Sequence, residues 1–230
     1  MVLSEKVDNT GESNKEFWLQ RWREGDIGWH HQEINPHLLS FWHTLGMGQG
    51  SQVFVPLCGK SRDMSWLSQQ GHSVVGVELS EVAVREFFSE RDMIAKRSNL
   101  GPFQKFHNEN YQLLCGDIFQ LKPHHVKQVD AVYDRASLVA LNARQRNDYA
   151  KLLAEVLPSG CLVLLVSMDY PQNEMDGPPY AVTDDEVQEL FADNFQVTHL
   201  HELDLLKDTE RYGGKGLSRL SEHIYKLQRN

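Results

Sequence analysis

Residues 161–168 read CLVLLVSM, a run with no charge and, apart from Ser167, no polar side chain. A strand that is apolar on both faces must be covered on both sides, the situation of a central strand in a parallel sheet with helices above and below. The preceding residues supply the rest of that architecture. Residues 52–57 (QVFVPL) read as a first strand, 61–70 as a helix closed by Gly71, and 73–79 (SVVGVEL) as a second strand, which makes a βαβ unit. Ser80 caps the next helix through Val84, Phe87 and Phe88; 112–116 and 129–133 are further strands, and 143–156 is a helix ended by Pro158 and Gly160. After a Pro-rich loop (171–179) and a helix from Thr183, residues 196–203 and 222–228 are two last strands that can pair as a hairpin.

The expected fold is therefore α/β: a Rossmann-like, seven-stranded, mostly parallel sheet with an antiparallel C-terminal strand and helices on both faces. An N-terminal helical extension precedes it. Ser13 and Glu16 have capping-box spacing before FWLQRW, and Asn35-Pro36 opens a second helix running to Gly46. The whole of 1–230 reads as one domain, with 1–13 flexible, 14–46 a helical lid and 51–230 the core.

Composition narrows the functional classes. A formal charge of -9 with scattered Lys and Arg argues against a nucleic-acid partner held through phosphates. No run of 18 apolar residues exists and the N-terminus is polar, so neither a membrane span nor a signal peptide is expected, and a cytoplasmic location fits. The three cysteines, Cys58, Cys115 and Cys161, are too far apart for a metal knuckle and fit a buried hydrophobic role. No metal site is expected from the histidine spacings either. No extended apolar seam marks an obligate oligomer, which leaves a monomer as the expectation.

In a doubly wound sheet, ligands bind beyond the carboxyl ends of the strands. The first strand ends in VPLCGKS, which lacks the G-x-G-x-x-G of a dinucleotide site; a P-loop would need glycine where Phe54 stands. The second ends in Glu78, where a carboxylate can hold both hydroxyls of a ribose; the alternative is a Glu that only caps the helix starting at Ser80. Ribose recognition without a pyrophosphate cradle points to S-adenosylmethionine. The third strand leads into Asp117-Ile118, a carboxylate and an apolar side chain at the place of an adenine ring, or simply a helix N-cap. The fourth leads into Asp134-Arg135, whose cation faces either the cleft or a neighbouring helix end. Trp18, Trp22 and Trp29 are either a lid over a planar ligand or an N-terminal helix stapled to the core.

Together, FWLQRW (17–22), VPLCGKSRDMSWL (55–67), GHSVVGVELS (71–80), DRASLVAL (134–141) and GPPYAV (177–182) resemble the thiopurine S-methyltransferase family. The resemblance runs from about Phe17 onward. It implies S-adenosylmethionine as cofactor, contacted by Trp18, Trp22, Leu57, Glu78, Asp117, Ile118 and Arg135, and an acceptor bordered by Trp29. It also implies a second arginine before the last strand, for which Arg211 is the candidate. The implied reaction is methyl transfer to an aromatic or heterocyclic thiol, with Arg135 and Arg211 as the catalytic pair favouring the thiolate. Selenium or tellurium oxyanions, or another soft nucleophile, are the alternative acceptors, and a non-catalytic adenosylmethionine-binding module is the alternative from another class.

Overall fold

The computed structural model describes residues 11–206 and 216–230, with side chains from Asn14 onward. Strands β1 (Gln52–Val55), β2 (Ser73–Glu78), β5 (Tyr111–Cys115), β6 (Ala131–Arg135) and β7 (Leu162–Asp169) form the parallel centre. β8 (Phe195–Asp204) and β9 (Ser221–Arg229) form the expected hairpin, with β9 inserted antiparallel between β7 and β8. All seven expected strands are thus present. Two more, β3 (Lys96–Leu100) and β4 (Phe103–His107), form a second hairpin that extends the other edge, so that the sheet order is β3-β4-β5-β2-β1-β6-β7-β9-β8. The expectation of seven strands is corrected to nine among the described residues. β3 (KRSNL) is almost entirely exposed, and the buried Phe103 and Phe106 of β4 point to opposite sheet faces, so neither strand carries the alternation that marks an amphipathic strand.

Helices cover both faces. On one lie α5 (Pro123–Val126), α6 (Ala143–Val156) and α7 (Asp184–Phe191), whose Val126, Tyr149, Leu153 and Phe191 belong to one core with Val132, Val163 and Leu165. On the other lie α2 (Pro36–Phe41), α3 (Asp63–Gln69) and α4 (Glu81–Ser89), whose Leu38, Met64 and Phe87 pack on Val53, Tyr133 and Leu164. Val163, Leu164 and Leu165 of β7 are each no more than 1% exposed. That burial on alternating faces is the reason for the unbroken apolar run, each such side chain stabilising the fold by about 1.5–3 kcal/mol.

The caps follow the sequence signals. Asn142 and Gln145 form a reciprocal capping box at the start of α6, while Ser80 and Thr183 accept backbone N–H bonds at the starts of α4 and α7. The segment expected as one helix to Gly46 is α2 followed by a 3-10 turn, Trp42–Leu45, closed by Gly46 at φ 65°. α1 (Gly11–Glu24) begins two residues before the Ser13 cap position and ends at Gly25, φ 71°. The remainder of the tail expected to be flexible, residues 1–10, lies outside the described residues. No described helix is long and apolar enough to cross a membrane.

Candidate active site

The chain builds outward from β1 through β2 to β5, then returns to the other side of β1 for β6 and β7. Crossovers leaving in opposite directions open a crevice at the carboxyl ends of β1 and β6. A cleft of about 510 Å³ occupies this place. Two non-glycine residues with left-handed backbone line it, Leu57 after β1 (φ 44°) and Ala136 after β6 (φ 69°). Such conformations cost about 1–3 kcal/mol each and persist where the surroundings impose them. Here Ser137 imposes one constraint, its buried hydroxyl donating to the Pro56 carbonyl at 3.2 Å and lacing the two strand ends together.

Glu78 closes β2 and is 6% exposed. Its Oε2 accepts the Gly59 N–H at 2.8 Å and its Oε1 the Ser80 N–H at 2.7 Å, so one carboxylate ties the β1 turn to the start of α4. Burial pushes its pKa up, and the backbone donors oppose that shift. It braces the helix start, as the capping reading expects, and it also lines the cleft. The Asp117 N-cap reading likewise holds: Oδ1 accepts the Phe119 N–H at 3.0 Å. Its Oδ2 lies 2.7 Å from Lys15 Nζ of α1, a contact spanning the mouth of the cleft. Ile118 is buried beside it.

α1 lies across the opening. Asn14 Nδ2 donates to Gln145 Oε1 at 2.9 Å, anchoring the helix to α6. Trp22 is buried, its ring 3.1 Å from where a Cβ on Gly59 would sit, which explains a glycine with φ 50° at that turn. Trp29 receives the edges of both Trp18 (5.0 Å) and Trp22 (5.9 Å), with the Arg21 guanidinium 5.3 Å from its ring. Trp18 and Trp29 are only half-buried, and all three tryptophans line the cleft. Arg135, at the tip of β6, also lines it and donates to the Trp29 carbonyl at 3.3 Å. Eight of the nine sequence-derived positions thus meet in one cavity, and the ninth, Arg211, lies outside the described residues.

Several cleft residues escaped the sequence reading. Asp63, 3% exposed, accepts the Tyr133 hydroxyl at 3.0 Å and the Asn35 N–H at 2.8 Å, while Glu222 at the start of β9 pairs with His37. Burial, then the Asp63 carboxylate, drive the Tyr133 phenol well above its ordinary pKa. Each pair is separated by 28 or more residues in sequence, and none forms a local motif.

The geometry has counterparts among known proteins. The family model described as thiopurine S-methyltransferase (TPMT) matches residues 13–230. The thiopurine S-methyltransferase of Nitrosospira multiformis is 47% identical over 213 residues, covering 93% of this chain and 97% of the relative. That of Azotobacter vinelandii is 44% identical, covering 94% and 99%. Among solved structures, the fold is similar to the Burkholderia thailandensis 1,6-didemethyltoxoflavin-N1-methyltransferase with bound 1,6-didemethyltoxoflavin and S-adenosylhomocysteine, at TM-score 0.66 and 15% identity, covering 100% of this chain and 93% of that one. It is equally similar to an S-adenosylmethionine-dependent methyltransferase from Anabaena variabilis, at TM-score 0.66 and 12% identity, with 100% and 99% coverage. A full-length family match, the sheet order and a cleft at the switch point agree: the chain belongs to the thiopurine S-methyltransferase family and is an S-adenosylmethionine-dependent methyltransferase.

Proposed function

We propose that the methyl acceptor is the sulfur of an aromatic or heterocyclic thiol. The observation that carries this reading is Arg135, a cation at the β6 tip whose guanidinium reaches the Trp29 carbonyl inside an aromatic-walled cleft. A flat apolar acceptor is matched by the walls, and a developing thiolate by the charge.

The cofactor half of the cleft fits S-adenosylmethionine. Glu78 offers a buried carboxylate at the end of β2, where ribose hydroxyls can donate to it; Leu57 and Ile118 supply apolar flanks for the adenine. Asp117 borders the same end, and Trp18 and Trp22 cover it from α1. When bound, the cofactor supplies a methyl group on a positively charged sulfur. The protein's part is to hold the acceptor sulfur in line with that methyl at roughly 3–3.5 Å and to keep water out. Residues 14–46 act as the lid that does so, over a core formed by 51–230. Arg135 raises the thiolate fraction of the acceptor, each pKa unit of depression corresponding to about 1.4 kcal/mol. Arg211 is the proposed second cation. A monomer in the cytoplasm is the setting we infer.

The test is S-adenosylhomocysteine formation by purified protein with labelled S-adenosylmethionine and a panel of aromatic thiols, aliphatic thiols, phenols and selenite. Turnover confined to aromatic and heterocyclic thiols is expected. Preferential turnover of selenite would assign the cleft to metalloid oxyanions instead.

A further inference from the structure

At the β7–β9 end of the cleft lies a constellation apart from the residues assigned to the cofactor. Glu222 of β9 is the register partner of Met168 of β7, and both line the cleft. His37, in the first turn of α2, places Nε2 2.8 Å from Glu222 Oε2, the two side chains being 7% and 16% exposed. His37 is itself held in place: its N–H donates to Asn35 Oδ1 at 2.9 Å, and the Asn35 N–H donates to Asp63 Oδ1 at 2.8 Å. Three other cleft carboxylates have different partners. Glu78 accepts two backbone N–H groups, Asp63 a backbone N–H and the Tyr133 phenol, and Asp117 a backbone N–H and Lys15. Glu222 is instead paired with the His37 imidazole. It stands on the side of Arg135 and Met168, away from Glu78 and Asp117, where the acceptor must lie.

We propose that Glu222, oriented by His37, accepts the ring N–H of a heteroaromatic thione and takes that proton as the sulfur is methylated, so that the cleft selects cyclic thioamides over simple thiols. This rests on the sulfur-acceptor reading above. In the thione form the sulfur is a neutral C=S and the mobile proton sits on the adjacent ring nitrogen. A carboxylate at that N–H shifts electron density toward sulfur. The N–H bonding pair becomes a ring C=N, the C=S π pair moves to sulfur and forms the new bond to the methyl carbon, and the sulfonium–methyl pair returns to the cofactor's sulfur. The proton ends on the Glu222–His37 pair. A thiol without a ring N–H cannot make this hydrogen bond, the loss by which a site built to bond a substrate N–H disfavours an analogue lacking it.

The experiment compares pyridine-2-thione with thiophenol in wild type, Glu222→Gln and Glu222→Asp. It reads kcat/KM for both acceptors across pH and, by calorimetry, the affinity of pyridine-2-thione for protein loaded with S-adenosylhomocysteine. Glu222→Gln is expected to lower the pyridine-2-thione to thiophenol ratio by about tenfold or more, to weaken pyridine-2-thione binding, and to remove the acid limb of its pH profile. Glu222→Asp, which keeps the charge one methylene further back, should recover part of the ratio and supplies the same readout if the Gln variant folds poorly. A ratio within about twofold of wild type in both variants, a difference well under 1 kcal/mol, overturns the inference alone. Wild-type protein that methylates neither compound overturns the sulfur-acceptor reading and this inference with it.

Discussion

Single residues in the cleft serve two purposes at once. Glu78 is buried, braces two backbone segments through Gly59 and Ser80, and faces the cavity. Glu78→Ala should weaken S-adenosylmethionine binding about 100-fold, the loss of hydrogen bonds to a charged group worth about 1.5–3 kcal/mol each. Isothermal titration measures this directly, and unchanged affinity would remove the ribose assignment. With Arg135 proposed to act on the acceptor, Arg135→Ala should lower kcat/KM with an aromatic thiol by about tenfold per pKa unit lost and move the rate profile to higher pH. Wild-type kinetics at every pH would leave the guanidinium with only its bond to the Trp29 carbonyl. Both residues were legible in the sequence because they end strands, where an α/β sheet concentrates ligand contacts. Glu222 and His37 were not, since 185 residues separate them and each sits inside an ordinary-looking strand or helix start.

At the scale of elements, legibility followed burial. β7 announced itself through residues buried on both faces, and α6 through the Pro158 and Gly160 that follow its end. The β3–β4 hairpin stayed hidden because its cohesion lies in backbone pairing to β5 and a two-residue Gly101-Pro102 turn, not in an apolar run. β6 was expected two residues early: Val129 is buried but precedes the strand, and Asp130 next to it caps the sheet by accepting the Gln52 N–H at 2.8 Å. Close packing between elements also explains a glycine that no turn demands. A Cβ at Gly76, in the middle of β2, would lie 2.7 Å from both Cys58 Sγ and Leu113 Cδ2. Gly76→Ala is therefore expected to destabilise the protein by about 1–3 kcal/mol in urea unfolding. An unchanged midpoint would show that Cys58 and Leu113 yield without cost.

For the whole molecule, stability carries a pH signature from the interior. Asp134 is 1% exposed and accepts the Tyr149 hydroxyl at 2.6 Å, and burial pushes its pKa up to about 6. Because the folded value lies above the ordinary value of 3.8, the folded state holds the proton more tightly than the unfolded chain. This contribution is fully present below pH 4 and is lost as pH rises through about 6, amounting to about 3 kcal/mol. Comparing unfolding free energies of wild type and Asp134→Asn at pH 4.5 and pH 7 checks it. The variant should gain relative to wild type on going to pH 7, and equal shifts in both proteins would assign the slope to other groups.

The insertion of β9 between β7 and β8 also orders the molecule in time. On a ribosome β9 emerges after every other described strand, yet it pairs along its length with both neighbours. Until it arrives, β8 has no partner among the described strands and β7 presents an open apolar edge, so a growing chain carries an adhesive, incomplete sheet until β9 has been made. The same late strand delivers Glu222 to the cleft, and messages cut short before codon 221 would yield proteins without that carboxylate however well their cofactor half had formed.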